Sequence, residues 1–126
     1  MRSKKFKHCN PHLPVRNLRE TLDYYHDTLG FYDEWTWANE KGESVDGGIR
    51  RDDMHLLFGE HANFVESHLA IMWFVENIEE IFLEFQIRKI KIEDGLKLHS
   101  YGLREFAFAD INGYYIRVAE RIEGEK

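Results

Sequence analysis

Val15-Arg16-Asn17-Leu18-Arg19-Glu20 is echoed by Val75-Glu76-Asn77-Ile78-Glu79-Glu80, 60 residues further along the chain. The same offset relates Leu22 to Phe82, Tyr25 to Phe85, His8 to His68, Phe58 to Val118 and Glu60 to Glu120. Each copy is a short apolar stretch, an Asn, a Glu three residues on, and then a helical pattern. An Asn before a helix accepts a hydrogen bond from an orphan N–H of the first turn, and the Glu reaches back, so Asn17 and Asn77 predict N-caps. Leu18, Leu22, Tyr25 and Leu29 form one apolar stripe, and Ile78, Phe82 and Phe85 form its counterpart. Gly30 ends the first helix. Two caps and two stripes at a single offset predict a duplicated unit.

Working outward, strands precede each helix over about 7–15 and 68–75. Residues 31–38 are aromatic and alternate, as a strand does. Asp46-Gly47-Gly48 and Asp52-Asp53 read as turns that bracket a short strand through Ile49, and 54–58 is the next strand. Short strands are expected near Lys91 and over 103–109, Asp110-Ile111-Asn112-Gly113 is a turn, and 114–120 closes the second copy. The prediction is strand, helix and three strands, twice: one module over about 6–60, a linker at 61–67, and a second module over about 68–122.

The chain has 126 residues, 43% of them hydrophobic and 32% charged, which excludes a disordered chain and allows a core. No apolar run reaches the roughly 18 residues of a membrane span, so no membrane partner is expected. The basic start, Met1 to Lys7, leads into no long apolar segment, which predicts no secretory signal. The single cysteine, Cys9, offers no internal disulfide, fits a reducing cytoplasm, and is expected to pack as a small hydrophobe. A net charge of −6 argues against nucleic acid as a partner. The serines lack a nucleophile-elbow context and the glycines lack a phosphate-binding pattern.

Asn10-Pro11-His12-Leu13-Pro14-Val15-Arg16-Asn17-Leu18, then Tyr24-Tyr25 and Leu29-Gly30-Phe31, resembles the opening of the vicinal oxygen chelate superfamily. That superfamily includes glyoxalase I, extradiol dioxygenases and bleomycin-resistance proteins. Tyr101-Gly102-Leu103-Arg104-Glu105-Phe106, followed by Asp110 to Tyr114, is similar to its closing segment. Pro11, Pro14 and Arg16, the run Arg51-Asp52-Asp53-Met54 and the late Arg117 resemble the bleomycin-resistance branch most closely. The resemblance implies an α+β fold of two tandem βαβββ modules, forming a curled mixed sheet with an open cavity. It also implies a homodimer and, in the resistance branch, a drug held in clefts between subunits.

In the metalloenzymes of the superfamily, His and Glu ligands sit on the first and last strand of each module. Alignment puts those positions at Asn10, Leu57, Ala70 and Arg117. Leu57 and Ala70 have no lone pairs to give, and Asn10 offers only an amide carbonyl. A guanidinium at ~4 Å from a doubly charged ion opposes it by roughly 8 kcal/mol at an effective dielectric near 20. The expected cofactor is therefore none. The alternative is a divalent metal such as Zn, Ni, Mn or Fe in a displaced site of His12, His55 and His68, which share strand faces with Asn10, Leu57 and Ala70 on the period of two.

The expected ligand-binding residues are Trp35, Trp37, Leu57, Met72, Phe74, Tyr101, Glu105 and Arg117. Leu57, Met72 and Phe74 supply an apolar wall, and Trp35, Trp37 and Tyr101 supply rings that suit a flat aromatic or cationic ligand. Packing of Trp35 and Trp37 in a core or subunit interface is the competing reading. An inward Arg117 needs an anionic partner, either Glu105 or a ligand carboxylate. The leading expectation is a metal-free protein that sequesters a small-molecule ligand without transforming it. The alternatives are a lyase, isomerase or dioxygenase using the displaced histidine site, and an accessory domain that only dimerises.

Overall fold

Strand, helix and three strands occur twice along the chain, as the repeat predicts. The computed structural model describes residues 5–67 and 69–122, and the chain divides into two compact units between Phe64 and Val65. The first unit runs β1 (His12–Val15), α1 (Leu18–Asp27), β2 (Tyr32–Ala38), β3 (Ser44–Arg51) and β4 (Met54–Glu60). The second runs β5 (Ala70–Phe74), α2 (Ile78–Ile87), β6 (Asp94–Leu98), β7 (Leu103–Ala109) and β8 (Tyr115–Arg121). Each unit builds its own four-stranded mixed sheet, ordered β1-β4-β3-β2 and β5-β8-β7-β6. The first strand pairs parallel with the last in both sheets, and the remaining pairs are antiparallel. The fold is α+β, built of two βαβββ modules. No helix among the described residues is long and apolar enough to cross a membrane.

Alternation along each strand separates a helix-facing side from an open side. In the first unit Leu13, Val15, Ile49, Leu56 and Phe58 are buried with Leu18, Leu22, Tyr25 and Leu29 of the α1 region. Tyr25 meets Phe31 edge-on and Phe58 at a tilt, with centroids 5.4 and 5.0 Å apart. In the second unit Phe82 and Phe85 of α2 meet Phe106 and Phe108 of β7, and Phe108 in turn meets Trp73. Each fully buried side chain of this size contributes about 1.5–3 kcal/mol.

The helix starts follow a rule that the local sequence only half reveals. Asn17 caps α1 as expected, its side chain accepting from Glu20 N at 2.9 Å. Asn77 does not cap α2. It adopts a left-handed conformation at φ 56°, and its side chain makes no capping hydrogen bond. The last strand supplies the missing acceptor instead: Glu120 accepts from Asn77 N at 2.9 Å and from Ile78 N at 3.1 Å. Glu60 does the same for Leu18 N at 2.8 Å. A carboxylate at a helix N-terminus satisfies orphan N–H groups and opposes the positive end of the macrodipole.

Other expectations need correction. Asp46-Gly47-Gly48 is not a turn but the middle of β3, and the hairpin turn lies before it, where Asn39 Oδ1 accepts from Lys41 N and Glu43 N. The strand expected near Lys91 is β6, at 94–98. The strand before α1 covers only His12–Val15, because Pro11 and Pro14 limit ladder pairing. Cys9 is exposed, not packed.

Candidate functional site

Register places the residues on the open face of the first unit. His12 lies opposite Leu57, Leu57 opposite Gly48, and Gly48 opposite Trp35, so one row crosses all four strands. The next row pairs Gly59 with Asp46 and Asp46 with Trp37. Trp35 and Trp37 therefore stand side by side, as their spacing predicts, and remain 47% and 68% exposed in the chain. The two glycines form the floor. A Cβ on Gly48 would lie 2.7 Å from Trp35 Nε1, so the indole packs directly against bare backbone. A Cβ on Gly59 would lie 2.9 Å from His12 Cε1 and 3.0 Å from Asp46 Oδ1. His12 thus crosses over Gly59 from β1 to reach Asp46 on β3, with Nε2 and Oδ1 2.9 Å apart.

On the open face of the second unit Met72 lies opposite Arg117, Phe74 opposite Ala119, and Ala119 opposite Glu105. Arg117 is not free to seek an anion. Its Nε and Nη2 donate to the two oxygens of Glu105 at 3.0 and 2.8 Å, and Nη2 also donates to Tyr101 Oη at 3.1 Å. Glu105 is only 5% exposed. Burial pushes its carboxyl up, but the hydrogen bonds from Arg117 and Tyr101 and the nearby positive charge outweigh burial, leaving it below its ordinary value. The Glu105 hydrogen bond likewise raises the Arg117 guanidinium. His99, which the sequence reading passed over, stacks on Tyr101 with centroids 5.0 Å apart. The Arg121 guanidinium sits 5.0 Å from the Phe74 centroid, an occupant for one face of that ring that the spacing gave no hint of.

The metal positions can be tested on their donor chemistry. Asn10, Leu57, Ala70 and Arg117 do not fit a divalent cation, since Arg117 brings a fixed positive charge already bound to a carboxylate. Of the displaced histidines, His12 is engaged by Asp46, His55 is exposed on β4 opposite Arg50, and His68 lies outside the described residues. Among the described residues no group of three or more His, Cys, Asp or Glu is placed to hold a metal.

The sequence profile of the Glyoxalase/Bleomycin resistance protein/Dioxygenase superfamily matches residues 5–118. The chain belongs to this superfamily. No curated protein sequence is significantly similar to this superfamily member. Its fold is shared by solved structures of low identity. A glyoxalase-related enzyme from Clostridium phytofermentans superposes with a TM-score of 0.77 at 14% identity, covering 97% of this chain and 100% of that one. The bleomycin resistance determinant encoded on transposon Tn5 gives 0.75 at 19% identity, covering 92% and 98%. A bleomycin-binding protein complexed with bleomycin gives 0.73 at 17% identity, covering 93% and 100%. At such identities the superfamily likeness fixes the fold, and function has to be argued from the site.

Proposed function

We propose that this superfamily member is a metal-free small-molecule-binding protein that sequesters a flat aromatic or cationic ligand against the open face of its first module. In this reading a second copy of the chain closes the cleft and the ligand is not transformed. One observation carries the reading: two adjacent tryptophans stand exposed on a strand face, one of them laid over a glycine. A ring stacked on such an indole gains about 0.5–1.5 kcal/mol beyond burial, and a cation over it gains a similar amount. Leu57 continues the apolar floor, and the His12–Asp46 pair marks its polar end. In the second module the charges of the Arg117–Glu105 pair are already satisfied by each other.

Tryptophan emission, titrated with bleomycin and with smaller flat aromatic cations, tests the proposal. The expected result is a saturable change that weakens in Trp37→Ala, whose side chain lies mostly in solvent and adds little to stability. No saturable change at millimolar ligand would remove the proposed site. Elemental analysis of protein purified without chelator tests the metal-free part. Stoichiometric metal that disappears in a His12→Ala/His55→Ala double variant would replace this reading with the enzymatic one.

A further inference from the structure

The hydrogen-bonding polarity of the His12–Asp46 pair can be read from its chemistry. An ionised carboxylate accepts hydrogen bonds and donates none, so the 2.9 Å contact between Asp46 Oδ1 and His12 Nε2 puts the imidazole proton on Nε2. In the neutral ring that leaves Nδ1 as a bare acceptor. Among the described residues neither Nδ1 nor the second carboxylate oxygen, Oδ2, has a hydrogen-bond partner. The two side chains keep 57% and 44% of their surface in solvent. Glycine makes the arrangement possible. A Cβ on Gly59 would lie 2.9 Å from His12 Cε1, 3.2 Å from Nε2 and 3.0 Å from Asp46 Oδ1, so imidazole and carboxylate meet directly over bare backbone. Asp46 stands opposite Trp37 across the β2–β3 ladder, and side chains so paired have Cβ atoms about 5 Å apart. A ring stacked on Trp37 therefore brings its edge to the two acceptors. Arg50, the next charged residue on this face of β3, is roughly 13 Å further along the strand and is bound by Asp33.

We propose that His12 and Asp46 set the specificity of this surface, selecting a flat ring whose edge carries N–H donors, as aminated heteroaromatic rings and amidines do. The inference rests on the ligand-binding reading above and narrows it. Stacking on an indole accepts any flat ring. Two acceptors side by side admit a donor-bearing edge, and they oppose an anion or an edge of bare acceptors with their own lone pairs. Positive charge alone is not enough. A quaternary ring nitrogen gains the charge attraction but offers no N–H, so Nδ1 and Oδ2 would lose water without a replacement.

Tryptophan emission titrated with 2-aminobenzimidazole and, separately, with 1,3-dimethylbenzimidazolium tests it, since the probes share a ring system and only the first has N–H donors. The wild type is expected to bind the amino probe about tenfold more tightly, the scale of a hydrogen bond to a charged group. Asp46→Asn turns an acceptor into a donor, and His12→Phe removes Nδ1 and the tether on Asp46. Each is expected to cut the preference to about twofold or less, and to change the affinity for 1,3-dimethylbenzimidazolium by no more than about threefold. Thermal melts establish that each variant is folded under the titration conditions. Nitrogen-15 spectra of labelled histidine read the tautomer in the wild type without any ligand, and a bare Nε2 on His12 overturns the inference. Equal affinity for the two probes in the wild type, or a preference that both variants retain, also overturns it while leaving the ligand-binding reading in place. If neither probe gives a saturable change, both fall together.

Discussion

Replacing Gly48 with alanine probes the seat of Trp35. The added methyl would lie 2.7 Å from Nε1 and 2.8 Å from Cε2 of the indole, and 2.9 Å from the Leu56 carbonyl oxygen. All three distances are shorter than a carbon tolerates. The Leu56 oxygen belongs to the paired backbone of β4 and cannot yield, so the indole must lift away. Overpacking of this kind costs about 1–3 kcal/mol. At roughly 3–5 °C per kcal/mol for a chain of this size, Tm falls by about 3–15 °C. A lifted indole also loses its stacking contribution of about 0.5–1.5 kcal/mol, which weakens an aromatic ligand about two- to tenfold. Thermal melts and fluorescence titrations of Gly48→Ala should be run beside Gly95→Ala, whose methyl would meet nothing within 4 Å. Wild-type Tm and wild-type affinity in Gly48→Ala would refute the reasoning that bare backbone seats the ring.

Three further predictions follow from the helix starts and the ion pair. Glu120→Ala strands the Asn77 and Ile78 N–H groups and should lower urea stability by about 1–2 kcal/mol; Glu60→Ala should cost less, because Asn17 still caps α1, and the reverse order would contradict the assignment. Asn77→Gly should be neutral or nearly so, since glycine suits a left-handed residue, whereas Asn17→Ala should cost about 1 kcal/mol; equal losses in urea midpoints would show that both asparagines cap. Arg117→Met leaves the buried Glu105 without its guanidinium and should cost about 2 kcal/mol at pH 7. Because the folded state holds Glu105 below its ordinary value of 4.5, that difference is present above this pH and shrinks as pH falls through the folded value. A gap between wild type and variant that persists unchanged to pH 3 would remove the pair as its source.

The helix-facing half of the molecule was legible because burial there enforces the pattern. Leu18, Leu22 and Tyr25 recur as Ile78, Phe82 and Phe85, and both stripes face their sheets. Asn17 and Asn77 show where that legibility stops. The two residues are identical and equally spaced from their helices, yet one caps and the other is left-handed. The difference is made by Glu120, which is 43 residues away from Asn77 and takes two N–H groups where Glu60 takes one. Gly47-Gly48 misled for a related reason. A Gly pair after Asp is ordinary turn chemistry, and Trp35, 13 residues before Gly48, explains why no side chain is present inside the strand: its ring lies against Gly48 and its carbonyl oxygen against Gly47.

The open faces reveal a second layer of the duplication that one fixed offset hides. Asp46 lies opposite Gly59 and Glu105 opposite Ala119, so these carboxylates occupy equivalent places although they are 59 residues apart while the opposing strands are 60 apart. The connection between the third and fourth strands differs by one residue, which slides the count without altering the register. Seen this way, both modules anchor a nitrogen-bearing side chain with a carboxylate from the third strand: His12 across Gly59 in the first, Arg117 beside Ala107 in the second. The surroundings have diverged in opposite directions. The first module surrounds its pair with bare backbone and exposed indoles, leaving surface for a ligand. The second buries its carboxylate and saturates it with Arg117 and Tyr101, leaving little to offer. If recognition lies on the first module, Trp35→Ala should weaken ligand binding more than Arg117→Met does, once each affinity is measured under conditions where the variant is fully folded. The opposite ranking in fluorescence titration would move the site to the second module and make Arg117 a ligand contact.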